Sequence, residues 1–148
     1  MSPGKLSDHQ AEVAVNRRLL GLFDDASLAE PNPVLPLRVG DWVSTSRGKV
    51  LMEADVDVIT ATLHVEVWDA PLPDDDTWPR TKTVPMVLES GNLSVDEIEH
   101  GTRSLGIRVP APGLWQARLS WRTEDSRHAT VRVQFWPVSG RAGTPNSS

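Results

Sequence analysis

The chain has 148 residues, 39% of them hydrophobic and 24% charged, with no cysteine. That length holds one domain with a sizeable core, and the missing thiols exclude disulfides and thiolate metal centres. A net charge of -5 excludes the basic footprint that nucleic-acid binding needs, and no apolar run approaches the ~20 residues that cross a bilayer.

The charge is unevenly spread. Residues 1–52 are balanced, residues 53–100 carry a net -10, and residues 101–148 carry a net +5. A negative surface of this kind steers toward a basic protein partner. The first residues lack the apolar stretch of a secretory signal, so the expected address is the cytoplasm.

In chain order, residues 1–10 are expected to be a flexible N-terminus. Ser7 and Gln10 have capping-box spacing, which favours a helix. Val13 and Val15, then Leu20 and Leu22, alternate as in strands, and Gly21 weakens a helix, so 11–23 is open between the two. Pro31, Pro33 and Pro36 make 24–36 a loop, with an extended segment over 34–39. Short strands are expected near Trp42 and over Lys49–Ala54, with a turn at 46–48.

The longest strand is predicted over Val58–Trp68. Ile59, Ala61, Leu63, Val65 and Val67 share one face, and Thr60, Thr62, His64, Glu66 and Trp68 share the other. Asp69–Pro79 is an acidic loop stiffened by Pro71, Pro73 and Pro79. Thr81–Leu88 resumes as a strand, and Pro85 inside it marks an edge or bulge. Ser90-Gly91-Asn92 signals a tight hairpin. Asp96–Arg103 is polar, with room for one short helical turn. Leu105, Ile107 and Val109 alternate up to Pro110. A Pro112-Gly113 turn then opens a strand whose Trp115, Ala117, Leu119 and Trp121 face one way and whose Gln116, Arg118, Ser120 and Arg122 face the other. Val131, Val133 and Phe135 alternate with Arg132, Gln134 and Trp136 in the last strand. Residues 139–148 have the composition of a disordered tail.

The sum is an all-β protein: a single-domain antiparallel β-sandwich of about eight or nine strands over 11–138, with at most one short helix. Arg118, Arg122 and Arg132 fall side by side if the last strands pair, a costly arrangement that an acid such as Glu66 would relieve.

No catalytic motif is present. The four histidines (His9, His64, His100, His128) lack metal-ligand spacing, and no nucleophile elbow or phosphate-binding glycine loop occurs. No cofactor or metal is therefore expected. Asp74-Asp75-Asp76 lacks the alternating spacing that wraps a chain around calcium, which leaves it as a solvated acidic loop. Trp115 and Trp121 belong to the core. Trp42, Trp68, Trp78 and Trp136 fall at strand ends, in loops or on polar faces, where they either cap the sandwich or offer an aromatic platform. The partner-binding residues expected from this pattern are Asp69, Asp74, Asp75, Asp76 and Trp78, a rigid aromatic beside charge.

From Gly48 to Trp136 the strand and turn order resembles the competence-associated nuclease inhibitor family, the ComJ type. The segments that carry this are Thr83–Val95, Leu105–Trp121 and Val133–Pro137. The resemblance implies a cytoplasmic, non-enzymatic protein that blocks a nuclease by binding it. An inhibitor or immunity protein for a nuclease or other basic toxin is the reading that follows. A carbohydrate- or small-ligand-binding sandwich is the alternative, on account of the tryptophans.

Overall fold

The computed structural model describes residues 3–26, 42–46, 48–97 and 101–138. Ten strands form: β1 (Lys5–Val15), β2 (Leu19–Asp24), β3 (Val43–Ser46), β4 (Lys49–Glu53), β5 (Ile59–Trp68), β6 (Arg80–Leu88), β7 (Asn92–Asp96), β8 (Thr102–Arg108), β9 (Gly113–Thr123) and β10 (His128–Pro137). They make two five-stranded sheets, ordered β1-β5-β10-β9-β6 and β3-β4-β2-β7-β8. No α-helix occurs among the described residues, and none of their segments is a helix long and apolar enough to cross a membrane.

The alternation read from the sequence packs the core. Ile59, Ala61, Leu63, Val65 and Val67 of β5 are buried, as are Trp115, Ala117, Leu119 and Trp121 of β9 and Val131, Val133 and Phe135 of β10. They meet Leu20 and Leu22 of β2, Val50 and Met52 of β4, and Leu93 and Val95 of β7. Trp121 is 1% exposed and meets Trp42 edge-on, with ring centroids 6.4 Å apart. Period-2 apolar strands can hide their greasy faces only against a second sheet, which makes the sandwich.

Four local expectations change or are settled. Residues 5–10, expected to be flexible, belong to β1 and pair with β5 from Lys5 onward, so the ladder satisfies the donors that a helix cap would have served. Over 11–23 the open choice falls to strand, as Gly21 favoured, and at Gly21 a Cβ would come within 3.0 Å of the Asp96 Cβ, so β2 is closely flanked. The turn at Ser90-Gly91 joins no hairpin, because β6 and β7 lie in different sheets. It is a corner where the chain changes layer. Finally, β10 runs parallel to β5, while every other strand pair is antiparallel. The two parallel strands are joined by the long excursion through β6–β9 that such a pair requires. The helical turn expected over 96–103 falls partly on 98–100, outside the described residues; Asp96 and Thr102 themselves lie in strands and pair with each other. The segments 34–39 and 139–148 also lie outside them. Pro85 sits in β6 at the sheet edge, as its missing donor demands.

The β1–β2 corner is strained. Arg17 and Arg18 have φ of 55° and 68°, and Leu19 N–H donates to Asn16 O at 2.9 Å. Positive φ at both central residues is the signature of a type I′ turn, which favours Asn-Gly. For side chains with a Cβ that conformation costs about 1 kcal/mol or more per residue. The Arg18–Asp57 pair at 3.0 Å is solvent-exposed and offsets little. Arg17→Asn with Arg18→Gly is therefore expected to stabilise the protein by about 1 kcal/mol, read as a higher urea midpoint at unchanged slope. An unchanged or lower midpoint would refute the strain.

Candidate functional site

The acidic loop between β5 and β6 folds back across the outer face of the first sheet. That face carries the polar half of each alternating strand, and the register sets its charges. Arg118 lies opposite Gln134, Arg122 opposite Thr130, and Arg132 opposite Ser120. The three arginines thus stagger diagonally, and the like-charge opposition feared from the sequence is avoided.

The loop supplies what the arginines need. Arg132 donates from Nη2 to Asp75 Oδ2 at 2.7 Å, and Arg118 donates from Nη1 to the Pro73 carbonyl at 2.7 Å. The guanidinium groups of Arg122 and Arg132 lie over the Trp78 ring at 4.5 and 4.9 Å from its centroid. Asp75 Oδ1 also accepts from Thr77 N–H and Thr77 Oγ1 at 3.0 and 2.6 Å, which tightens the loop tip. The hydrogen bond from Arg132, and then those from Thr77, hold the Asp75 carboxyl far below the usual carboxylate range.

A polar chain runs beneath. Arg118 Nε donates to Gln134 Oε1, Gln134 Nε2 donates to Glu66 Oε1, and Trp68 Nε1 donates to the same oxygen, each at 2.9 Å. Arg118 is 6% exposed; burial, then the neighbouring Arg132 charge, lowers its pKa from the usual value. Its guanidinium lies 5.4 Å from the Trp136 ring centroid, and Lys5 Nζ lies 5.8 Å from that of Trp68. Glu66 serves Gln134 and Trp68 rather than an arginine. The neutralising carboxylates are Asp75 for Arg132 and, at 3.0 Å, Glu124 for Arg122.

The five residues singled out by sequence therefore separate. Asp75 and Trp78 are not free: the chain's own arginines hold both. Asp69 caps the N-terminal end of β1, accepting from Gly4 N–H at 2.7 Å while staying exposed. Asp74 and Asp76 are exposed on the loop. Sequence reading missed the clamp of Arg118, Arg122 and Arg132. Their outward alternation was visible, but nothing local says that a loop about forty-five to sixty residues away lands on them. Among the described residues no group of three or more histidine, aspartate or glutamate side chains is placed to hold a metal. His128 Nε2 instead meets Thr62 Oγ1 at 2.8 Å, and His100 lies outside the described residues.

The fold is a small two-sheet β-sandwich whose first sheet is covered by this loop. The structure of ComJ from Bacillus subtilis, an inhibitor of the DNA-degrading activity of NucA, superposes with a TM-score of 0.68 at 13% identity, over 93% of this chain and 100% of ComJ. Crocagin biosynthetic gene J superposes with a TM-score of 0.53 at 14% identity, over 90% of this chain and 99% of that one. At these identities the likeness is one of fold. No family model matches the sequence, and no curated protein matches it.

Proposed function

We propose that this protein is a non-enzymatic, cytoplasmic inhibitor or immunity protein that binds a nuclease or a similarly basic toxin. The observation that carries the reading is the acidic loop held in one shape across the first sheet, with Asp69, Asp74 and Asp76 facing solvent. Carboxylates fixed in this way stand in for the phosphates that a DNA-cleaving site attracts, and a matched field speeds encounter. Asp75 and Trp78 act in this reading by holding the loop, and the fold shared with a nuclease inhibitor agrees with it. Cations of the chain already lie over the rings of Trp68, Trp78 and Trp136, so nothing favours a sugar platform.

The test is titration of the purified protein into the product of the adjacent gene and into a panel of purified DNA-degrading enzymes, with cleavage of a labelled duplex as readout. Inhibition is expected at near-stoichiometric amounts and should weaken with salt. The triple variant Asp69→Asn, Asp74→Asn, Asp76→Asn is expected to slow association roughly tenfold or more. Undiminished cleavage in the presence of excess protein would overturn the reading.

A further inference from the structure

β1 is an 11-residue strand at one edge of the first sheet. Its ladder with β5 is regular from Ser7 to Val15, the only shift lying between Lys5 and Ser7. Two contacts reveal which backbone groups face away from β5. Ala14 N–H donates to Glu97 Oε2 at 2.8 Å, and the Glu12 carbonyl accepts from Arg103 Nη2 at 2.7 Å. Outward groups alternate along an antiparallel strand, so Asp8 and Gln10 also turn their N–H and C=O to the open side. No described residue bonds them there. Glu97 and Arg103, joined to each other at 3.2 Å, thus plug one end of the edge, including the Glu12 carbonyl, and leave the outward groups of Asp8 and Gln10 open.

The other edges are spoiled for pairing. β6 contains Pro85, β3 has four residues, and β8 is broken by a register shift opposite Leu93/Ser94 and by Gly106 at φ 70°. The open stretch of β1 is also selective. Asp8 and Glu12 point to the outer face, where Asp8 lies opposite Glu66 of β5 and pairs with Lys5 at 3.0 Å, and Glu12 accepts from Thr62 Oγ1 at 2.8 Å. A second copy paired about Gln10 would set Asp8 against Glu12 twice, next to Glu66, and like charges directly opposite destabilise. A strand bearing Lys or Arg at those two positions meets opposite charge at both.

We infer that the Asp8–Glu12 edge of β1 receives an extended segment of the protein partner as an added antiparallel strand, with Lys or Arg four residues apart facing Asp8 and Glu12. Backbone bonds supply the grip and the two carboxylates the choice of sequence. This rests on the reading above that the partner is a basic protein.

The probe is a blocked seven-residue peptide, Val-Lys-Val-Thr-Val-Lys-Val, followed by fluorescence anisotropy and by amide hydrogen exchange on the full-length protein. Binding is expected with slowed exchange at Asp8 and Gln10. It is expected to weaken at least tenfold for the peptide N-methylated at the two amides that face Asp8 and Gln10, and also when Glu replaces both lysines. Gln10→Pro removes an outward donor without touching the β5 ladder and is expected to abolish binding. The N-methylated peptide decides the matter if that variant misfolds. Equal binding of the N-methylated peptide, unprotected Asp8 and Gln10 amides, or self-association through β1 would overturn the inference. Should the wild type inhibit the nuclease and a folded Gln10→Pro variant inhibit equally, the edge is not used and the inhibitor reading stands. Should neither inhibit, the inhibitor reading falls.

Discussion

Asp24→Ala is expected to lower the unfolding free energy by about 3 kcal/mol, one of the largest effects of any single polar change. Asp24 ends β2 at 1% exposure. Its Oδ1 accepts from Ala26 N–H at 2.8 Å and from Ser90 N–H and Oγ at 3.0 Å, and its Oδ2 accepts from Gly91 N–H at 2.8 Å. These bonds fasten the corner where the chain passes from β6 in one sheet to β7 in the other. Alanine strands one buried donor, Gly91 N–H, and three half-buried ones at once. Asparagine at this position would not rescue them, because its NH₂ sets a donor against either Gly91 or Ser90. Urea unfolding of Asp24→Ala and Asp24→Asn should give similarly large losses. A near-wild-type midpoint for Asp24→Asn would show that acceptor count is not what holds the corner.

Arg132→Ala is expected to release the acidic loop. The change removes the bond to Asp75, which is the main cause of its depressed pKa, and half of the cation pair over Trp78. Loss of a partly desolvated cation–π contact of about 1 kcal/mol raises the open population roughly fivefold. The expected readouts are a red-shifted Trp78 emission and faster proteolysis between Asp69 and Pro79. Acid should do the same to the wild type. The Asp75 carboxyl has a lower pKa folded than unfolded, so its contribution is full above the ordinary carboxylate range. That contribution is lost only as pH falls below the range toward the depressed value. Glu124, lowered by Thr130 and then Arg122, titrates in the same sense. Trp78 emission should accordingly stay constant down to about pH 4 and change below it. A transition near neutral pH, or an Arg132→Ala loop cut no faster than wild type, would contradict the clamp.

Both effects depend on contacts that join distant parts of the chain, and the legibility of the protein divides along that line. β5, β9 and β10 could be read residue by residue, because a half-buried strand writes its burial into every second position. The edge placement of β6 was equally legible from Pro85, since a missing donor is tolerated only where no strand pairs. The first half of β1 was not legible. Apart from the exposed Leu6, Lys5–Gln10 is polar and holds its place by backbone bonding to β5, a partner more than fifty residues on. Ser90-Gly91 read as a hairpin because a turn residue declares a reversal and not which sheet the chain enters next.

The candidate site divides in the same way. Asp69, Asp74, Asp75, Asp76 and Trp78 stood out by composition alone, as did the outward arginines of the last strands. Their meeting was decided by the fold. The staggered register of β9 and β10 spaces Arg118, Arg122 and Arg132, and the crossing from β5 to the far edge strand β6 carries the loop over them. The sequence by itself determined an all-β, cysteine-free sandwich with segregated charge, because periodicity and composition are local properties. Only the tertiary structure decided which carboxylates the arginines consume and which stay exposed, because electrostatic pairing depends on distances that the linear chain does not contain.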